Sequence, residues 1–387
     1  MAMAGGKTGK PVQFILSDRQ RLAWLRLFRS DNIGPATFRD LIAHCGSAEA
    51  ALDMLPGLSA RGGALKSVRL ASVADAEREL ESATRHGARI VGLGEPDYPP
   101  MLRVTDLAPP LVTIKGNPEV FQRSAVAIVG ARNASMAGIR FTQRLARELG
   151  ETGFATVSGL ARGIDRAAHE ASAGTGTVAV LAGGIDRPYP PENVALLEEI
   201  ESGGRGASIT EKPFGWEARA RDFPRRNRII AALSLGLVVV EAAMRSGSLT
   251  SARFANELGR LVFAVPGSPL DPRAEGTNML LKSGAIVTTS AADVSEALAP
   301  LDERASSMPK GQLPLFEAGD VMALPPDDDQ RSQILTLLGP SPVDMDDIIG
   351  HTGLAPAQVF LAILELDLAG RIERHSGNRV SLVAAAS

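Results

Sequence analysis

An α/β fold is predicted for this 387-residue chain: a doubly wound, mainly parallel sheet in the middle, a helical domain before it, and a small module of three helices and a hairpin after it. Three observations carry that reading. Short apolar runs alternate with helical stretches between Ser124 and about Pro300, the first 110 residues show helical periodicity with caps, and an acidic, proline-containing stretch sets off the C-terminal pattern. At 44% hydrophobic and 22% charged residues the chain is globular, with room for two or three domains of roughly 100–200 residues each.

Residues 1–13 are small, glycine-rich and basic. Within them Gly5-Gly6-Lys7-Thr8-Gly9-Lys10 imitates a phosphate loop, but Pro11 stands where Ser or Thr is required and no strand precedes it, so a flexible tail is expected. Residues 14–110 are expected to form the helical domain and 111–301 the sheet domain. The strands of the latter are read at Val126–Val129, Ala155–Val157, Val178–Leu181, Ala207–Thr210, Leu237–Val240, Leu261–Val265 and Ile286–Thr289. Near-continuous apolar strands separated by helices indicate a parallel sheet buried on both faces. Residues 302–330, with seven acidic and two basic residues and no periodicity, read as a linker. In 331–383, Ile334 to Leu338, Asp344 to Ile349 and Pro356 to Leu368 read as helices, and Gly370 precedes two short strands. That order describes a winged helix, whose role, packing or DNA reading, stays open because Asp344, Asp346 and Asp347 lie near its second helix.

The 41 Lys+Arg against 44 Asp+Glu give a net charge of -3, so any polyanion must meet a local basic patch. A single cysteine, Cys45, excludes an internal disulfide and a cysteine-built zinc or iron-sulfur site, and fits a reducing cytoplasm. No run of about 18 apolar residues offers a membrane span, and neither a cofactor nor a metal is expected.

The first loop of the central domain, Gly130-Ala131-Arg132 onward, follows a strand and precedes a helix, where backbone N–H groups and the helix dipole favour an anion. Arg132 replaces the second glycine of a dinucleotide fingerprint and the next strand ends in Ser158-Gly159 rather than an acid, which argues against NAD or FAD and for a polyanion. The loop Ser158 to Asp165, with Arg162, borders the same crevice, while Asp165 and His169 at i, i+4 read as cap and core residues. Tyr189 is expected to pack. The strongest electrostatic signal is Arg219 to Arg228, five arginines against one aspartate at the start of an apolar helix, well placed for phosphates. Lys212 and Phe214 lie upstream, and Glu241 is expected to tie down an arginine.

Taken together, Gly130-Ala131-Arg132, Ser158 to Asp165, Tyr189 to Asn193, Phe223 to Ile230, Val240-Glu241-Ala242 with Ser246 to Leu249, and Val265-Pro266-Gly267 with Gly276-Thr277-Asn278 resemble the bacterial DNA-processing protein A (DprA, or Smf) family. The resemblance implies a Rossmann-like domain that binds single-stranded DNA without cutting it, forms homodimers through that domain, and loads the recombinase RecA in natural transformation. By residue it implies a phosphate pocket at Gly130, Ala131 and Arg132 and a DNA-binding stretch at Arg226, Asn227 and Arg228, with Arg225 adjacent and Lys212 near the same groove; Ser158, Gly159 and Arg162, on the loop bordering the crevice, are counted with the DNA-binding residues. Ile33 to Phe38 resembles a helix-hairpin-helix turn of the sterile-alpha-motif-like domain the family often carries, with a packing role preferred because little positive charge lies nearby. The competing class is a phosphoribohydrolase of the lysine-decarboxylase-like type, whose catalytic glutamate has no counterpart in Ser246 to Ala252. A winged-helix transcription factor would instead require a duplex sequence preference.

Overall fold

Helices α1 (Asp18–Arg29), α2 (Pro35–Cys45), α3 (Ala48–Arg61) and α4 (Val73–Arg85) form the N-terminal domain. Ser17, Ser47 and Ser72 cap α1, α3 and α4, each hydroxyl accepting a first-turn backbone N–H. The computed structural model describes residues 14–64, 66, 68–106, 108–307, 326–375 and 377–383. The N-terminal tail with its phosphate-loop imitation, and residues 308–325 of the expected linker, lie outside them.

The central domain continues through β1 (Ala88–Gly92), α5 (Pro100–Arg103), β2 (Leu111–Gly116), β3 (Ala125–Val129), α6 (Met136–Glu151), β4 (Ala155–Ser158), α7 (Ile164–Ser172) and β5 (Thr177–Val180). It then runs through α8 (Val194–Ser202), β6 (Ala207–Thr210), α9 (Asp222–Ala232), β7 (Gly236–Val239), α10 (Gly247–Glu257), β8 (Leu261–Ala264), α11 (Glu275–Lys282), β9 (Ile286–Val287) and α12 (Ala291–Ser307). Among the described residues these strands make one sheet in the order β1-β2-β6-β5-β4-β3-β7-β8-β9. From β6 to β9 all neighbours are parallel, whereas β1 and β2 add an antiparallel edge. Each apolar strand feeds both faces: Val126 and Ile128 of β3 pack into one core with Leu145 and Leu298, while Ala127 and Val129 join the opposite one with Ile229 and Ile230. The seven strands expected from apolar runs are therefore the parallel part of the sheet.

Two expectations shift. β1 falls inside the segment read as wholly helical, so the sheet starts at Ala88 rather than after residue 110. It is five residues long, carries an exposed Arg89, and gains its identity from pairing with β2 about twenty residues later. The linker is also shorter at both ends. Helix α12 carries Asp302 and Glu303 and runs to Ser307, and Asp327 caps the next helix by accepting the N–H of Gln330.

That helix, α13 (Asp328–Leu337), is followed by β10 (Val343–Asp344), α14 (Met345–Thr352), α15 (Pro356–Leu368), β11 (Ile372–His375) and β12 (Arg379–Leu382), the winged-helix order with a three-stranded sheet β10-β12-β11. Its own core gathers Ile334, Met345, Ile348, Val359 and Ile363. No helix among the described residues is long and apolar enough to cross a membrane.

Candidate nucleic-acid interface

In the parallel sheet, strand order reverses at β3, with β4 on one side and β7 on the other. The carboxyl ends of strands at such a point are where open sheets leave a crevice. Here the loops after β3, β4 and β5 and the start of α9 enclose a shallow cleft of about 10 Å³ lined by Arg132, Gly159, Arg162, Tyr189, Phe223 and Arg226 among others. That space is about what a single water molecule needs.

Arg226 forms the floor. It sits one turn into α9, is 5% exposed, and donates Nη1 to the Val180 carbonyl at 2.8 Å. Its Nε, also buried, meets no acceptor among the described residues. Burial lowers its pKa to about 10; Asp165 works against that fall and the neighbouring charge of Arg132 adds to it. The guanidinium nevertheless stays charged at neutral pH, so a largely desolvated cation lines the cleft.

The loop between β4 and α7 is held rigidly around this arginine. Asp165 is buried and its Oδ2 accepts the N–H groups of Gly159 at 3.1 Å and Ala161 at 3.4 Å. Burial raises the Asp165 pKa, while Arg226 and those N–H groups oppose it. Leu160 adopts the left-handed conformation at φ 59°, which is strained for a branched side chain and persists only where surroundings enforce it. The enforcing group is Asn193, fully buried, whose Nδ2 donates to the carbonyls of Leu160 at 2.8 Å and Ala161 at 3.1 Å. Gly163 (φ 73°) lets the loop touch its neighbour, since a Cβ there would stand 2.3 Å from the Ala131 carbonyl oxygen. Ala131 in turn accepts the Ile164 N–H at 3.2 Å, so Gly130, Ala131 and the second loop form one backbone unit.

The rim is aromatic and cationic. Arg132 is exposed with its guanidinium carbon 5.2 Å from the Phe223 ring centroid, and Tyr189 meets the same ring edge-on at 5.6 Å. Tyr189, expected to pack, does so on Phe223, and at 45% exposure it also presents part of its ring to solvent. Arg162 is exposed at the cleft, 3.8 Å from Glu192, and Arg225, one residue before Arg226, is exposed as well.

The other expected site residues sit beneath or behind this surface. Ser158 is fully buried and donates its hydroxyl to the Ile128 carbonyl at 2.6 Å, bracing two strands. Asn227 donates to the Gly247 carbonyl at 3.1 Å, and Arg228 pairs with Glu211. Lys212 turns onto Asp222, Nζ to Oδ1 2.7 Å, and stacks on Trp216, so the basic residue expected in the groove fastens the start of α9 instead. Burial tends to raise the Asp222 pKa, but Lys212, the Trp216 indole N–H and the Arg219 N–H hold it below its ordinary value. Phe214 packs against His86.

Glu241 corrects another expectation. Its carboxylate accepts the backbone N–H of Ser135 at 2.9 Å and the hydroxyl at 2.5 Å, fixing the N-cap of α6 rather than an arginine. His169 is fully buried with Nδ1 2.8 Å from the Thr177 hydroxyl; burial, with Arg226 adding, lowers its pKa to about 3, so it is neutral. The residues that sequence reasoning missed are Asn193 in its clamping role and the Tyr189–Phe223 pair; the one available signal was their place in loops at strand ends.

Comparison with known proteins finds matches over all three parts of the chain. The family model described as DNA recombination-mediator protein A matches residues 89–299, a DprA-like N-terminal HHH domain matches 18–82, and a DprA winged helix domain matches 319–378. Protein Smf of Synechocystis sp. is 31% identical over 334 residues, covering 78% of this chain and 81% of that protein. Among solved structures, the X-ray structure of DNA processing protein A from Streptococcus pneumoniae aligns with TM-score 0.55 at 33% identity, covering 68% of this chain and 86% of that one. DNA processing protein A from Helicobacter pylori, whose structure is described in terms of a unique single-stranded DNA binding mode, aligns with TM-score 0.50 at 26% identity, covering 55% and 96%.

Proposed function

The chain belongs to the DNA recombination-mediator protein A family, and on that premise we propose that it binds single-stranded DNA at the carboxyl ends of β3, β4 and β5 without cutting it. The observation that carries this reading is the buried Arg226 guanidinium, charged and short of one acceptor, at the floor of a cleft whose rim is Arg132, Tyr189 and Phe223. A phosphate oxygen in the cleft meets this guanidinium, and charge-assisted bonds of this kind are the strong ones. Arg132, Arg162 and Arg225 follow the neighbouring phosphates. The exposed Tyr189 ring gives bases a stacking surface that tolerates any sequence. Lys212, Asn227 and Arg228 hold α9 in place.

In this reading Asp165 and His169 are structural: the carboxylate is spent on two backbone N–H groups and the imidazole is neutral in the core. The single-stranded DNA binding mode described for the Helicobacter pylori relative supports the ligand. The wider role is protection of incoming strands and delivery to RecA during transformation and recombination, by a cytoplasmic homodimer joined through the central domain.

The test is a gel shift with one oligonucleotide as single strand and as duplex, repeated across salt concentrations. Preference for the single strand with a steep salt dependence is expected. Equal binding of duplex, or release of base from nucleoside monophosphates, would overturn the reading in favour of a duplex reader or a phosphoribohydrolase. Delivery is tested separately: failure to speed RecA assembly on strands coated with single-strand-binding protein would remove that role and leave DNA binding standing.

A further inference from the structure

Helix α15 is the third helix of the winged-helix module, the place where helix-turn-helix relatives carry the helix that enters the major groove. Its sequence does not suit that task. Pro356 to Leu368 contains no Lys or Arg and two carboxylates, and residues 326–383 hold nine acidic against four basic residues. A surface of that sign repels phosphates.

The helix is also apolar on two faces, the mark of an element buried on both sides. Val359 and Ile363 pack into the module's own core, whereas Leu361, Leu364 and Leu368 join a core with Phe38, Leu41 and Leu55 of the N-terminal helices. Between them Glu365, fully buried, accepts from Arg61 Nε at 2.5 Å and Arg331 Nε at 2.7 Å, one arginine from each domain. Arg374 bridges Asp40 at 2.8 Å and Asp367 at 2.7 Å, and Asp367 also accepts the Thr37 hydroxyl at 2.8 Å. Asn32, in the α1–α2 turn that resembles a helix-hairpin-helix, donates to the Leu368 carbonyl at 3.0 Å. The backbones touch: a Cβ on Gly62 would lie 1.9 Å from the Glu365 carbonyl oxygen.

We infer that α15 is a domain-docking helix that locks the winged helix onto the N-terminal domain, so that the two end modules act as one unit and nucleic acid is left to the central domain. Buried ion pairs specify such a contact: they are costly when half-satisfied, so they reject other registers. The inference rests on the proposed function only for where DNA goes; the docking itself is read independently.

The test uses the full chain carrying Gly62→Ala or Glu365→Ala, with Arg61→Ala as a milder opening from the solvent side if Glu365→Ala does not fold. Hydrogen exchange should rise at least about tenfold in both α3 and α15. Single-strand affinity should stay within about twofold and duplex binding should not strengthen, since no phosphate contact is lost or gained. Faster exchange in α15 alone would show independent modules and overturn the docking role. Stronger duplex binding on opening, or protection of α15 by added duplex in the unaltered protein, would show a covered or active DNA reader and overturn it as well. Loss of single-strand binding by the unaltered protein would instead refute the proposed function while the exchange result still stood.

Discussion

The Arg226 guanidinium occupies the space that a side chain at Gly159 would need: a Cβ on that glycine would stand 1.9 Å from Nη1. Two residues 67 positions apart are thus matched in shape, a missing side chain on the β4 loop and a buried cation on α9. The glycine is what lets the cation reach the cleft while its helix stays packed on the sheet.

Gly159→Ala should therefore act through Arg226. Overpacking at this site is expected to lower stability by about 1–3 kcal/mol. Displacing the guanidinium should weaken single-strand binding roughly tenfold, the worth of one charge-assisted hydrogen bond. Denaturant melts read beside gel shifts check both; full affinity in a folded variant would detach Arg226 from the site.

The two arginines of the cleft should separate in stability while agreeing in salt dependence. Arg132 is exposed, so Arg132→Ala should melt like the unaltered protein and lower the logarithmic salt slope by about 0.7 for a single strand. Arg226→Met should lower the slope similarly but also destabilise the fold, because it leaves the buried Asp165 without its nearby cation and the Val180 carbonyl without its donor. Unchanged slopes in both variants would move the site elsewhere.

Stacking is distinguished from charge by salt. Tyr189→Ala and Phe223→Ala should each cost about 1–3 kcal/mol of single-strand binding for every sequence alike. The salt slope should not change, since no cation is removed. A change of slope on Phe223→Ala would mean that the ring acts by placing Arg132.

The Lys212–Asp222 pair carries a pH signature. The Asp222 pKa is held below its ordinary 3.8 in the folded state. Its contribution is thus complete above the unfolded pKa and is lost as pH falls through the lower folded value. Asp222→Asn should melt earlier at neutral pH, with the gap to the unaltered protein closing as pH drops below about 4. Lys212→Met should destabilise α9 and leave the salt slope intact; a lower slope would return Lys212 to the groove.

Association is expected through the central domain. Light scattering at micromolar concentration should give the mass of two chains, and a monomer with intact DNA binding would refute the dimer.

The parallel sheet was legible from the sequence because strands buried on both faces favour apolar residues at successive positions, so Val126 to Val129 and Leu237 to Val240 stand out as apolar runs. The arginine run was legible for the opposite reason: five like charges in ten residues have no place in a core as a group. The order of three helical runs, the break at Gly370 and two short strands likewise located the winged helix. What the tertiary structure alone decided is direction and partnership. Arg225 and Arg226 are adjacent in the chain, but a helix turns about 100° per residue, and only packing on β5 determines that one points to solvent and the other into the floor of the cleft. The second apolar face of α15 was written in the sequence as Leu361, Leu364 and Leu368, but periodicity states that a face is buried and never against what. Its partners lie some 300 residues earlier, in α2 and α3, where contact depends on how whole domains close on each other.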